Sequence, residues 1–400
     1  MIGHRITALH LAATCVLLSL VACNSKRPEE TSDRLIASIT EDVQAVSQIT
    51  YSPDGRRAAY IVKRDGKELV VLNDKAGPEY AYVNELQFSR DGSRFGYIAG
   101  EGKKESSRYV AVIDGVQGLW SEVHPRLAFS RDGHHAAYDA KQNGKMFVVV
   151  DDQIGPRFDY IFDLNFAADS EIYYFAKNGG GVLDYDGWVL VLGKDQLPLG
   201  KGFPSEPTIS ENYEHIAYTL SRDEGTHLVI DNQVGKTYYQ IKSPVFSSDG
   251  KSLAFVANFK EDADFLVIAT IETSTDHSEK PIVHETTRSP EYDAITDVIL
   301  NSDGSKFAYR AIKNGKRIVV TSDRQIPDFD EVFSLLFSAD GKKLAFVAGL
   351  NGKELVVLAD QRGPAFDEIR DPVFSADGQA LWYGARDGKQ LWWKVMKPRS

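Results

Sequence analysis

From about residue 45 to the C-terminus, apolar and polar positions alternate in short runs. No stretch of ten or more residues there carries a 3.6-residue stripe. The runs are rich in Val, Ile, Phe and Tyr and are bounded by Asp, Asn, Gly and Pro, which predicts many short strands joined by tight turns. One unit reads "DPVFS", an "xDG" turn, "ALWYGA", a "RDGK" turn, a strand like "ELVVLAD", a "DQRGP" turn and "AFDEI". Asp can cap its own backbone in an Asx turn, and Gly supplies the positive φ of a tight hairpin. Pro after Gly pre-sets its own φ and opens the outer strand.

The pattern repeats. Aligned on the last residue of "FSxDG" there are nine copies: 51–55, 88–92, 129–133, 166–170, 209–213, 246–250, 300–304, 337–341 and 374–378. Their spacings are 37, 41, 37, 43, 37, 54, 37 and 37 residues, and the copies "FAADS" and "ISENY" are degenerate. Five residues after each anchor stands an aromatic: Tyr60, Tyr97, Tyr138, Phe175, Tyr218, Phe255, Tyr309, Phe346 and Tyr383. Eight residues before six of the copies stands another: Tyr80, Phe158, Tyr238, Tyr292, Phe329 and Phe366.

A lone four-stranded sheet cannot bury both faces. Four-stranded repeats of about forty residues are the signature of propeller blades stacked around an axis. The recurring aromatics then lie between neighbouring sheets, each contributing roughly 1.5–3 kcal/mol when buried. The expected fold is all-β: one β-propeller of four-stranded antiparallel blades over residues 35–400, with nine repeat units and eight as the alternative count. The last unit stops after "LWWKVM" without an outer strand, so Leu35–Ile39 ("LIASI"), or the residues just after it, is expected to supply it and close the ring. The longer interval around "IETSTDHSEKPIVHETTRSP" is expected to be an extended hairpin or loop.

Units of the form "PVFSxDGxxLAF" followed by "GKELVVLAD" resemble the WD40-like propeller repeats of the TolB type, over nearly the whole chain from about residue 45. The resemblance implies the propeller and says almost nothing of function. It extends to the repeat, and the N-terminal α/β domain of that family is not expected here.

The chain opens "MIGHRITALHLAATCVLLSLVACNS". Arg5 followed by an apolar run to Ala22 has the proportions of a secretory signal, and the run is too short and polar for a comfortable membrane span. Leu20-Val21-Ala22-Cys23 resembles the bacterial lipobox, which implies a signal peptide over 1–22 and acylation of Cys23 as the first mature residue. Asn24 follows rather than Asp, which by the enterobacterial sorting rule favours the outer membrane. Residues 23–34, "CNSKRPEETSDR", read as a flexible tether.

Composition narrows the chemistry. The formal charge is −11 with no basic tract, which argues against a nucleic-acid partner. Cys15 and Cys23 are the only cysteines, so the body has no disulfide and no thiolate metal site, as suits an oxidising compartment. There is no "GxSxG" elbow. "HETTR" (284–288) lacks the second His of "HExxH". "NGGGV" (178–182) lacks a phosphate-binding pattern, and "DYDG" (184–187) lacks most ligands of a calcium loop and reads as a turn. His135 and His215 share one slot two residues past the anchor and are expected to be exposed turn positions. No catalytic residue, metal site or cofactor is assigned.

One pattern points to a surface. Three residues before the first anchor residue stand Glu85, Asp163, Glu206, Asp297 and Asp371, and four residues earlier Asp159, Asp293 and Asp367 repeat the sign. The expectation is an acidic ring near the channel mouth that receives a cation, a basic peptide or a charged loop of a protein or envelope partner. The competing expectation is that these acids pair with basic hairpins such as "KRDGK" and "ARDGK". The sequence thus favours an envelope-anchored, non-catalytic binding scaffold. The alternative is a propeller-fold lyase or glycosidase acting on envelope or extracellular polymers, which would need His and carboxylate groups of different blades to meet in a deep pocket.

Overall fold

The structure is a computed structural model that describes residues 33–39, 45–102, 108–167, 170–182, 184–212, 214–231, 233–261, 263–272, 282–326 and 329–398, apart from the side chains of Ala45 and Glu206. The expected signal peptide, Cys23 and the tether up to residue 32 lie outside the described residues. Among the described residues there are nine four-stranded antiparallel sheets and no helix. Blades 1 to 8 span 45–80, 82–117, 127–154, 160–198, 203–238, 240–288, 294–326 and 331–366, each in sequence order. Blade 9 joins Glu368–Phe374, Leu381–Asp387 and Gln390–Met396 to an outer strand from the other end of the chain, Arg34–Ser38. The nine-blade count therefore stands over eight.

The sheets are arranged in a ring. First strands lie against one another in order, for example Ala45–Tyr51 on Tyr82–Phe88 and Gln240–Phe246 on Ala294–Leu300, and Glu368–Phe374 comes back onto Ala45–Tyr51. Nine separate hydrophobic clusters fill the nine junctions between blades. The core is thus a set of interfaces, each buried only because a neighbour is present.

Closure uses the expected segment. Leu35 pairs with Trp392 and Ser38 with Gln390, and the strand begins one residue earlier than expected, at Arg34. Asp33 accepts the Val395 N–H at 3.1 Å and pairs with Lys394 at 3.1 Å. The Arg34 guanidinium donates to the Gly55 carbonyl of blade 1.

The recurring turn has a local cause. In "FSADG", the buried Ser338 hydroxyl donates to Asp340 at 2.6 Å and accepts the Lys343 N–H at 2.9 Å, while the Asp340 carboxylate accepts the Lys342 N–H. The same closed network recurs at Ser52, Ser89, Ser130, Ser247 and Ser375. Asn301 replaces Ser in blade 7 and accepts the Lys306 N–H at 2.9 Å.

The outer strands depart from expectation. Only the start of "DQRGP" is a turn: Ala359 and Asp360 make it, and Gln361–Phe366 is a strand with Gly363 and Pro364 inside it, where the pairing register shifts. Proline is tolerated there because an outer edge has no ladder bond to lose on its solvent side. Glycine keeps the strand close to its neighbour; at Gly77 a Cβ would meet the Val70 carbonyl oxygen at 3.3 Å.

The aromatic ladder holds, with one register correction. Tyr80 packs edge-on against Tyr97 at 6.3 Å, Tyr292 against Tyr309 at 5.9 Å and Phe329 against Phe346 at 5.4 Å. In blade 4 the first turn is one residue shorter, since Phe166 pairs with Ile172 whereas Phe88 pairs with Phe95. Tyr174 therefore takes the ladder position against Phe158, and Phe175 turns to the opposite face. There it meets Tyr218 of blade 5, whose unit lacks the preceding aromatic, and Phe162, Trp188 and Phe203 complete the cluster.

The long interval before blade 7 forms an outer hairpin of Phe265–Glu272 and Ile282–Arg288; residues 273–281 lie outside the described residues.

Candidate functional site

The first strands line the channel, and they are not regular. In eight of the nine blades the register between first and second strand shifts, as between Asn84 and Gln87 or Arg370 and Val373. At seven of these bulges a non-glycine residue takes positive φ: Gln48 (44°), Glu85 (53°), Asp163 (57°), Ser243 (54°), Asp297 (51°), Ser334 (50°) and Asp371 (52°). Four of the five expected ring residues are in this set. Glu206 sits in the strand Phe203–Ile209 where the register shifts between Ser205 and Thr208, and its side chain lies outside the described residues. The regular spacing of these residues thus has a backbone origin in the bulge, and the left-handed region favours Asp among non-glycine residues, as at Asp163, Asp297 and Asp371.

The bulges lie in the middle of the first strands, so the ring is on the channel wall rather than at its mouth. The ring is also not uniformly acidic. Blade 3 places Arg126 at the equivalent sequence position, and its guanidinium lies 4.0 Å from Asp163. His124 lies 3.7 Å from Glu85 and hydrogen-bonds Asn84 at 3.1 Å. Asp297 pairs with Arg310 of its own blade, whose guanidinium also donates to the Val332 carbonyl of blade 8. Asp371 instead accepts the Tyr51 N–H at 2.7 Å and the Thr50 hydroxyl at 3.1 Å. The surrounding protein raises the Asp371 pKa through desolvation, and those two hydrogen bonds oppose the rise. The basic partners of Glu85, Asp163 and Asp297 come from the strands and from the segment before blade 3, not from the basic hairpins.

The second acidic set has a separate role. Asp159 accepts the Gly179 N–H at 2.7 Å, Asp293 the Gly315 N–H at 3.3 Å and Asp367 the Gly388 N–H at 2.6 Å, each fastening a hairpin between second and third strands. Glu122 and Asp330 do the same for Asn143 and Asn351. Both stand at the same offset of seven residues before the anchor, so that offset in the sequence already carries the signal for them. Lys145 and Lys353 of these hairpins pair with Asp159 and Asp367, as the competing expectation had it. The Gly179 N–H and then Lys145 hold Asp159 below the usual carboxylate range.

Other motifs resolve structurally. His215 is buried, 3% exposed, and bonds Asp231 at 2.7 Å, which corrects the expectation of an exposed position; His135 makes the equivalent contact with Asp151 at the surface. In each, the carboxylate also accepts the first N–H of the second strand, Ile216 or Ala136, so the pair belongs to the blade's framework. The "NGGGV" and "DYDG" segments wrap the buried ammonium of Lys177, which donates to the Gly181 carbonyl at 3.1 Å and the Asp184 carbonyl at 2.9 Å. An internal cation takes the loop oxygens. "HETTR" lies on the exposed outer strand Ile282–Arg288. Among the described residues no group of three His, Cys, Asp or Glu side chains is placed to hold a metal ion.

Comparison with known proteins returns fold alone. No family model matches the chain, and no curated protein does. Among solved structures, the chain is similar to the Dos1 propeller at 10% identity (TM-score 0.46, 92% of this chain and 95% of that one). Sqt1 from Chaetomium thermophilum is similar at 11% identity (TM-score 0.43, 79% and 96%). The propeller domain of the Trilobed protease from Pyrococcus furiosus, whose topology is described as an open velcro, is similar at 11% identity (TM-score 0.39, 80% and 98%).

Proposed function

We propose that this chain is a bacterial envelope lipoprotein, acylated at Cys23 and carried on the periplasmic side of the outer membrane, whose propeller binds a basic protein segment in its channel without catalysing a reaction. The binding residues are Glu85, Asp163, Glu206, Asp297 and Asp371. The observation that carries this reading is the set of carboxylates mounted on positive-φ bulges of the channel wall. Glu85, Asp163 and Asp297 keep side-chain exposures of 51%, 34% and 45%. Arg126 and Arg310 stand beside Asp163 and Asp297 in part-exposed pairs; surface ion pairs are worth roughly 0–1 kcal/mol each, so an incoming Lys or Arg competes with them for the carboxylates. Low-dielectric channel walls focus the field of such groups and favour capture.

The test is capture of partners from the native envelope by the tethered protein, with mass spectrometry, comparing wild type with the combined Asp163→Asn, Asp297→Asn and Asp371→Asn variant. Asn tolerates the same backbone, so the blades remain intact. Loss of the captured partner supports the proposal; undiminished capture overturns the acidic channel as the site.

A further inference from the structure

The closing strand has a direction, and that direction orients the molecule. Its Arg34 end reaches the face that carries the Asp-Gly turns, where the Arg34 guanidinium meets the Gly55 carbonyl in the first turn of blade 1. Asp33 is fixed there too, on Val395 and Lys394 near the end of the last strand. The other end of the closing strand lies on the opposite face. Ser38 faces Gln390, and the Ile39 N–H donates at 2.8 Å to the Lys389 carbonyl in the hairpin between second and third strands. The chain therefore enters the ring from the turn face.

We infer that the anchored protein stands with its Asp-Gly turn face against the phospholipid surface and turns its hairpin face, with the capping acids Glu122, Asp159, Asp293, Asp330 and Asp367, away from it. The inference rests on acylation at Cys23. Nine residues, 24–32, separate Cys23 from Asp33. Fully extended, ten steps at roughly 3.3–3.6 Å each span about 35 Å. A flexible coil of that length averages only about 17 Å end to end. The seven-residue strands of a blade rise about 23 Å before turns are added. Bringing the hairpin face to the lipid would require the tether to run the whole height of the blade, beyond its average end-to-end length and at an entropy cost. Resting on the turn face requires none of this. Because Arg34–Ser38 is the outermost strand of its blade, the seam between blades 9 and 1 lies nearest the anchor.

The cysteine-free body makes the test clean, since Cys15 falls in the leader and an acylated Cys23 has no free thiol. Single cysteines are introduced into the full-length lipoprotein at exposed positions of the turn face (Arg56→Cys, Lys251→Cys) and of the hairpin face (Lys316→Cys, Lys389→Cys). Each is labelled with a fluorophore and reconstituted in phosphatidylethanolamine–phosphatidylglycerol vesicles containing a nitroxide lipid. The expected result is several-fold stronger quenching from Arg56→Cys and Lys251→Cys than from the hairpin pair. Equal or reversed quenching in protein that floats with the vesicles overturns the orientation and leaves the anchor standing. Protein that does not float, and behaves like a Cys23→Ser control, overturns the anchor and the orientation with it.

Discussion

The backbone N–H of Tyr51 donates to the Asp371 carboxylate at 2.7 Å, so the bulge of the last blade holds the first strand of the first blade. Thr50 adds its hydroxyl to the same oxygen at 3.1 Å. Asp371→Ala leaves that N–H without its acceptor, and an unsatisfied group of this kind costs about 1–3 kcal/mol. Asp371→Asn keeps an acceptor oxygen and a side chain suited to φ 52°, and should recover most of the loss in urea unfolding. The pH dependence has a definite sign. Desolvation raises the folded-state pKa, so the native state holds its proton to higher pH than the unfolded chain and ionisation of Asp371 opposes folding. Measured against wild type, the Asn variant should therefore gain stability as pH rises from about 4, the unfolded carboxylate value.

The turn aspartates titrate the other way. The Ser130 hydroxyl, with turn N–H groups, lowers Asp132 to about 2, and Ser338 and Ser375 likewise hold Asp340 and Asp377 below the usual range. A depressed native pKa stabilises above the unfolded value and is lost as pH falls through the native one. The urea midpoint should decline from about pH 4 towards pH 2. Replacing Asp132, Asp340 and Asp377 with Asn should flatten that decline and lower stability at pH 7.

The buried ammonium of Lys177 organises the loop that follows it. Two backbone carbonyls, of Gly181 and Asp184, accept hydrogen bonds from it, the Asp184 carboxylate lies 4.0 Å away, and Trp188 donates its indole N–H to the same Asp184 carbonyl at 3.0 Å. Lys177→Met keeps the stem and removes the donors, which should cost about 1–3 kcal/mol. It should also shift the emission of Trp188 without unfolding the ring, read by fluorescence beside circular dichroism.

What the sequence discloses and what it hides divide along physical lines. The turn network, the aromatic ladder and the missing outer strand are consequences of local chemistry at fixed spacing, and all three are legible in residues such as Ser338, Tyr309 and Leu35. Counting residues cannot show that a turn has lost one, which is why Phe175 reads as a ladder residue although Tyr174 occupies the place. Nor does an offset distinguish a carboxylate selected by a positive-φ bulge, as at Asp163, from one that caps a hairpin, as at Asp159. His215 reads as exposed because its carboxylate, Asp231, is sixteen residues away and is brought to it by the third strand. The neutral member Ser243 discloses its place in the ring only once the bulges are seen.

The seam between first and last blades is also held by shape. Gly384 lies under the Tyr51 ring, and a Cβ there would come within 2.0 Å of the ring carbons. Gly384→Ala must displace a tyrosine that is 2% exposed and whose hydroxyl bonds the Ala385 carbonyl at 3.1 Å. Overpacking of this kind costs about 1–3 kcal/mol. The equivalent change at Gly352, where nothing lies within 4 Å, carries only the backbone cost of φ 73° and should be milder in the same thermal melt.

The closing strand ties the two ends of the chain, so its removal tests the ring as a whole. Ile39 is buried, and Ala37 packs with Leu391 and Trp393, which are 0% and 1% exposed. Deleting residues up to 44 removes this layer and bares the edge of Gln390–Met396. Burial of Ile39 alone contributes roughly 1.5–3 kcal/mol. The exposed edge then offers unpaired N–H and C=O groups, a template for pairing with another chain. The truncated protein should unfold at lower urea concentration and shift towards dimers or larger species in light scattering. Ala37→Asp, which keeps the strand and places a carboxylate against Trp393, should lower stability with less self-association. If both proteins remained monomeric and as stable as wild type, the strand would be an ornament on an already closed ring, whereas its pairing along Gln390–Met396 requires that it be the clasp.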